Sequence, residues 1–166
     1  ELAVEGLYLG RESRVASALL NTTTWTGTSN TGAITNAWDD ATNATPWADV
    51  DAAAKIVRGK AGTVKEDLSL VISDDLIEYA VLTDEVKGFF QYSGEYARVI
   101  SSSIQVEADF LAGYFGIKEV KSTRALYDTS HLASDAVIGK FWSNEYAFLG
   151  KLCPPNSKLK TMGAIK

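Results

Sequence analysis

The sequence predicts a mixed α+β domain in which helices and short strands alternate, and three observations carry that prediction. Apolar residues recur at helical spacing around residues 46–58 and again around 103–115. Short runs rich in β-branched and aromatic residues lie between and after them, at 68–72, 117–126, 137–142 and 146–152. The chain is 166 residues long and 46% apolar, enough to close one core around such elements.

Residues 1–20 mix Leu2, Leu7, Leu9, Val15, Ala16, Leu19 and Leu20 with Glu1, Glu5, Arg11, Glu12 and Arg14, which suits a helix with one partly buried face. Gly6 and Gly10 weaken it by roughly 1 kcal/mol each relative to alanine. Residues 21–45 change character: Asn, Thr, Ser and Gly dominate, with Trp25 and Trp38 as large apolar anchors, and loops with short extended pieces are expected. Thr45-Pro46 opens the next helix, with Thr45 as cap and Pro46 at the first position, where a missing N–H costs nothing. Val50, Ala53, Ala54 and Val57 form its apolar face; Asp49 and Asp51 lie early, Lys55, Arg58 and Lys60 late, and Gly59 and Gly62 supply the exit.

Leu68-Ser69-Leu70-Val71-Ile72 reads as a buried strand, stopped by Ser73-Asp74-Asp75, which cap a helix carrying Leu76, Ile77, Tyr79 and Ala80. A second short helix is expected over Thr83–Tyr92 with Val86, Phe89 and Phe90 inward, broken by Ser93-Gly94. Ser102 and Gln105 have capping-box spacing, and the helix they open places Val106, Phe110 and Tyr114 in one row before Gly116 ends it. One strand is expected over Ile117–Leu126, a loop over Tyr127–Ser134, and two strands flanking Ser143-Asn144-Glu145 before Cys153-Pro154-Pro155-Asn156 ends regular pairing.

Charge and composition narrow the function. A formal net charge of −5 argues against a dedicated nucleic-acid-binding surface, which needs clustered Lys and Arg. The single cysteine, Cys153, excludes an internal disulfide. Apolar runs of a few residues fall short of the roughly 20 that a membrane span needs, and no signal-peptide pattern opens the chain. Glu1 stands where a methionine would, and the chain closes on Met162-Gly163-Ala164-Ile165-Lys166; a fragment or processed chain is the expected reading.

Candidate chemistry is sparse. Asp128-Thr129-Ser130-His131 brings an acid, a hydroxyl and the single imidazole together in sequence, but triads are assembled by the fold from separate segments, and a polar loop is the simpler account. Cys153 lacks a base other than His131, and one His with one Cys cannot build the usual structural zinc site. Asp39, Asp40, Asn43, Asp49 and Asp51 form an oxygen-rich stretch without EF-hand spacing, so caps and Asx-turns explain them better than calcium. Gly59-Lys60-Ala61-Gly62 lacks the length and ending of a phosphate-binding loop, and the Asn21 and Asn43 glycosylation patterns arise readily by chance in a Thr-rich region. No catalytic, cofactor or metal constellation emerges, and a non-enzymatic role is expected.

Order and spacing of several pieces are informative together: Arg11-Glu12-Ser13-Arg14-Val15-Ala16, Leu20-Asn21-Thr22, Trp25-Thr26-Gly27, Trp38-Asp39-Asp40, Pro46 and Asp49–Ala53. Leu70–Ser73, Phe110–Val120, Phe141–Leu149 and Cys153-Pro154-Pro155 continue the series over almost the whole chain. In this order they resemble the major capsid proteins of tailed phages. The resemblance implies the Hong Kong 97-type coat fold: residues 1–20 as the end of the peripheral domain's spine helix, 21–155 as the axial domain with a central sheet flanked by helices, and 156–166 as the start of the return. Lys65-Glu66-Asp67 departs from the family, which usually has a proline-asparagine turn there.

The implied function is a structural subunit that self-assembles as pentamers and hexamers into an icosahedral shell. That shell encloses double-stranded DNA without sequence-specific binding and belongs to the virion, assembled in the host cytoplasm; portal, scaffold and decoration proteins are its further partners, and no membrane is involved. Trp25 and Trp38 are the expected contacts between neighbours, and Asp128, His131 and Asp135 of the Tyr127–Asp135 loop the expected contacts at the capsomer axis. Three rivals remain at this stage. An encapsulin-type compartment shares the fold, a small hydrolase would use His131 with Ser130 or Cys153, and a carbohydrate-binding module would stack sugars on tryptophan but clashes with the expected helices.

Overall fold

The structure, a computed structural model, describes residues 2–21, 23, 25, 31–91, 95–100, 103–128 and 138–152. An 18-residue helix, α1 (Leu2–Leu19), opens the chain, and residues 31–45 form turns without helix or strand. Helix α2 (Pro46–Ala61) starts on Pro46 and ends where Gly62 takes a left-handed conformation (φ 60°), so Gly59 lies inside the helix. Thr45 occupies the cap position without capping: its side chain makes no cap hydrogen bond. The Trp47 N–H, one of the donors a cap would serve, instead donates to Glu85 Oε2 at 2.9 Å.

A turn of 3-10 helix at Lys65–Asp67 leads into β1 (Ser69–Ser73), all five residues of which are buried. Ser73 Oγ accepts the Leu76 N–H and caps α3 (Asp74–Leu82), as expected. Then come α4 (Asp84–Phe90), α5 (Glu95–Ile100), α6 (Ile104–Phe115), β2 (Glu119–Thr123), β3 (Leu126–Asp128), β4 (Ile138–Lys140) and β5 (Phe148–Gly150). Gly116, at φ 66°, closes α6 with its N–H shared between the Ala112 and Gly113 carbonyls.

Among the described residues the sheet order is β2-β1-β5, with β3 and β4 as a separate antiparallel ribbon. β1 and β2 run parallel, Leu70 opposite Val120, and the α3–α6 segment supplies the long crossover that a parallel pair requires. β5 pairs antiparallel to β1, with Leu70 opposite Leu149 and Val71 opposite Phe148. Alternation then sorts β1 between two cores. Leu70 and Ile72 join Leu68 in a large cluster with Val50, Ala54, Ile77, Ala80, Val81, Ala108, Leu111 and Phe115 from α2, α3 and α6. Val71 packs into a smaller cluster with Ala16, Trp142 and Phe148. Both faces of β1 are therefore covered, which is why its centre, Leu70-Val71-Ile72, is an unbroken apolar run.

The mixed α+β class is what the structure has, and several details differ from expectation. The strand expected over 117–126 is two, β2 and β3, interrupted at Arg124-Ala125. The strands expected over 137–142 and 146–152 are shorter and pair with different partners, β4 with β3 and β5 with β1. Ser102 lies outside the described residues; Ser103 holds the cap position of α6 without a side-chain cap bond, and Gln105 reaches Asp109 Oδ1 at 3.0 Å instead. The buried residues of α6 are Glu107, Ala108, Leu111, Ala112 and Phe115, with Phe110 and Tyr114 half-buried and Val106 exposed. Phe89, expected inward, is 70% exposed, because α4 uses Val86 to reach the core and turns Phe89 outward. The break at Ser93-Gly94 and the turn at Cys153–Asn156 lie outside the described residues.

Candidate functional site

The structure separates the two tryptophans expected to meet neighbours. Trp38 is 6% exposed, packed 6.4 Å from Phe115 between ring centroids, and donates its indole N–H to Asp49 Oδ2 at 2.9 Å. It is an anchor of the chain's own core, its indole N–H satisfied by a carboxylate of α2. Trp25 sits on the other side of β1, half-buried against Phe148, with its N–H on the Leu19 carbonyl at 2.8 Å. It fastens the end of α1 to the domain and keeps part of its ring at the surface. Asp128 is exposed at the end of β3, while His131, Asp135 and Cys153 lie outside the described residues.

The oxygen-rich stretch resolves into separate local uses. Asp40 Oδ1 accepts the Thr42 and Asn43 N–H groups and Oδ2 the Asn43 side-chain amide, an Asx-turn whose hydrogen bonds hold the carboxyl below its usual range. Asp49 serves Trp38, and Asp51 bridges Lys55 and Lys65, whose hydrogen bonds lower its pKa to about 2. Among the described residues no three His, Cys, Asp or Glu side chains converge as a metal site, and no helix is long and apolar enough to cross a membrane.

What the fold does build is a set of surfaces able to pack. On α1 the earlier turns leave Leu7 73% exposed, with Tyr8 and Leu9 beside it, while Ala16 and Leu19, followed by Leu20 just past the helix, bind the domain. Glu12 Oε1 accepts the Trp142 indole N–H at 3.0 Å, a second tie between helix and domain. Phe89 stacks edge-on with Phe90 and Tyr114, at 4.7 and 5.2 Å, making an aromatic ladder across α4 and α6. Burial there pushes the Tyr114 phenol up to about 12.

The β3–β4 ribbon is the third surface. It exposes Leu126 and Ile138, and its base is fixed by Tyr127 stacked on Phe141 at 4.7 Å. A Cβ on Gly139 would come 2.6 Å from the Tyr127 ring, so only glycine lets that ring lie across the ribbon. Polar ties run from the ribbon region to the first turn of α3. Asp75 takes Lys140 and Asn144, and Asp74 takes Arg124 at 2.8 Å. Those partners hold the Asp75 carboxyl below its usual range, Lys140 first. Sequence spacing could not reveal this hub, because its members stand up to 69 positions apart. The arrangement offers shape, apolar area and fixed charge.

Among solved structures the chain is similar to a phage-related protein from Bordetella bronchiseptica. The likeness has a TM-score of 0.74 at 16% identity, and covers 93% of this chain and 46% of that one. The chain thus spans about half the length of that protein. No family model matches the chain, and no curated protein does. At this identity the likeness is one of fold: a mixed α+β domain on a helix, shared with part of a phage-related protein.

Proposed function

We propose that the chain is part of a major capsid subunit of a tailed phage or prophage, with the Hong Kong 97-type coat fold, whose work is self-assembly and not catalysis. In this reading α1 is the end of the spine helix, residues 21–155 are the axial domain, and residues 156–166 begin the return to the peripheral domain. Copies assemble as pentamers and hexamers into the shell around double-stranded DNA, in a virion built in the host cytoplasm. Portal, scaffold and decoration proteins are the further partners, and the shell needs no cofactor.

One observation carries the reading: a domain fastened to the end of an 18-residue helix whose earlier turns hold Leu7, Tyr8 and Leu9 in solvent, in a fold it shares with part of a phage-related protein. A tile gains stability by burying such surface against copies of itself. The ribbon supplies the test. Tyr127 and Asp128 belong to β3, so residues 129–136 are replaced by a short Gly/Ser linker in the full-length protein. The expected result is loss of fast-sedimenting particles with unchanged circular dichroism; particles in normal yield would contradict the role given to this loop at the capsomer axis.

A further inference from the structure

A cleft of about 300 Å³ opens between α3, the end of α5 and α6, walled by Val81, Leu82, Ile100 and Ile104 and carrying Glu78 and Glu107. Glu107 is only 8% exposed, and its Oε2 is closed to solvent without a hydrogen-bond partner. Burial, and then the charge of Glu78, raise its pKa. An ionised carboxylate in such a place is unfavourable unless a cation neutralises it, and the chain's described residues supply none to that oxygen. Apolar walls with two carboxylates suit a group with an aliphatic stem and a charged head.

The chain carries such a group on another element. The last turns of α2 expose Lys55, Arg58 and Lys60. Lys55 is paired with Asp51, whereas Arg58 has no ion pair among the described residues. Acidic cleft and basic helix end are complementary surfaces at different places on one chain, the condition for a head-to-tail contact that closes a ring. We infer that the Glu107 cleft receives the Arg58 side chain of a neighbouring copy. This rests on the shell reading and names one of its contacts.

The test uses the full-length protein. Glu107→Gln and Arg58→Gln should each raise the concentration needed for assembly by about tenfold, and the double variant should be no worse than either single one, since both remove one shared pair. A second arm works without assembly. In unassembled full-length subunit, n-butylguanidinium should shift the NMR signals of the Ile100 and Ile104 methyls saturably, bind E107Q about tenfold more weakly, and outcompete neutral n-butylurea. If wild-type particles form but the two substitutions act independently, or E107Q assembles normally, the contact is wrong and the shell reading stands. If wild-type protein forms no particles, the shell reading fails and the neighbouring-copy occupant with it, while the probe still reports on the cleft. Equal binding of the probe to wild type and E107Q overturns the cleft as a cation receptor.

Discussion

The two sides of β1 are built differently. On one side aliphatic residues from six elements, α2, α3, α5, α6, β1 and β2, close a large cluster in which Leu68, Ile77 and Leu111 are fully buried. On the other, four buried residues and a fringe of aromatic rings join α1 to the domain, helped by hydrogen bonds from Trp142 to Glu12 and from Trp25 to the Leu19 carbonyl. The first side is a core that holds the fold; the second is a joint that sets where the helix stands relative to it. A core and a joint should break separately, because their side chains face away from each other across one strand.

Leu111→Ala should show the largest effect. Its cavity lies at the centre of the large cluster and should cost about 2–5 kcal/mol, read as a lower melting temperature with every element unfolding together. Trp142→Phe keeps a ring in the smaller cluster but removes the donor to Glu12, and should cost about 1 kcal/mol. Hydrogen exchange should then quicken in α1 and leave β1 protected. Equal acceleration in both would mean that the two sides are one cooperative unit.

The smallest effect concerns acid stability. Asp51 has its pKa lowered to about 2 by Lys55 and Lys65, so the folded state binds its proton less readily than the unfolded chain. Its contribution is present above its ordinary value of 3.8 and is lost as the pH falls toward about 2. Asp51→Asn should flatten the acid limb of the stability curve over that window and leave neutral pH almost unchanged; an unaltered limb would show that this half-buried cluster contributes nothing measurable.

The large cluster was legible in the sequence and the joint was not. Leu68–Ile72 reads as a buried strand because both of its faces are apolar, and Pro46, Gly62, Ser73 and Gly116 mark helix ends through backbone chemistry that acts locally. Thr45 shows where local chemistry loses: a carboxylate from α4 takes the Trp47 N–H that the cap would have served. Trp25 and Trp38 look alike in a polar stretch, and the partners that hold one of them inside, Asp49 and Phe115, lie on later helices. Phe89 fits an inward pattern, yet α4 is too short to bury more than Val86 fully. Glu107 lies in a cleft that α3 and the end of α5 form with α6. Surfaces and clefts of this kind arise from distant elements, so spacing carries no trace of them.

Assembly into a shell is the property that matters most, and electron microscopy of the full-length protein tests it most directly. Closed shells of uniform diameter, with the domain described here gathered at the centre of each pentamer and hexamer and α1 running away from it, are the predicted result. A dispersed monomer at every concentration, or an assembly in which the β3–β4 ribbon points away from the capsomer axis, would contradict it.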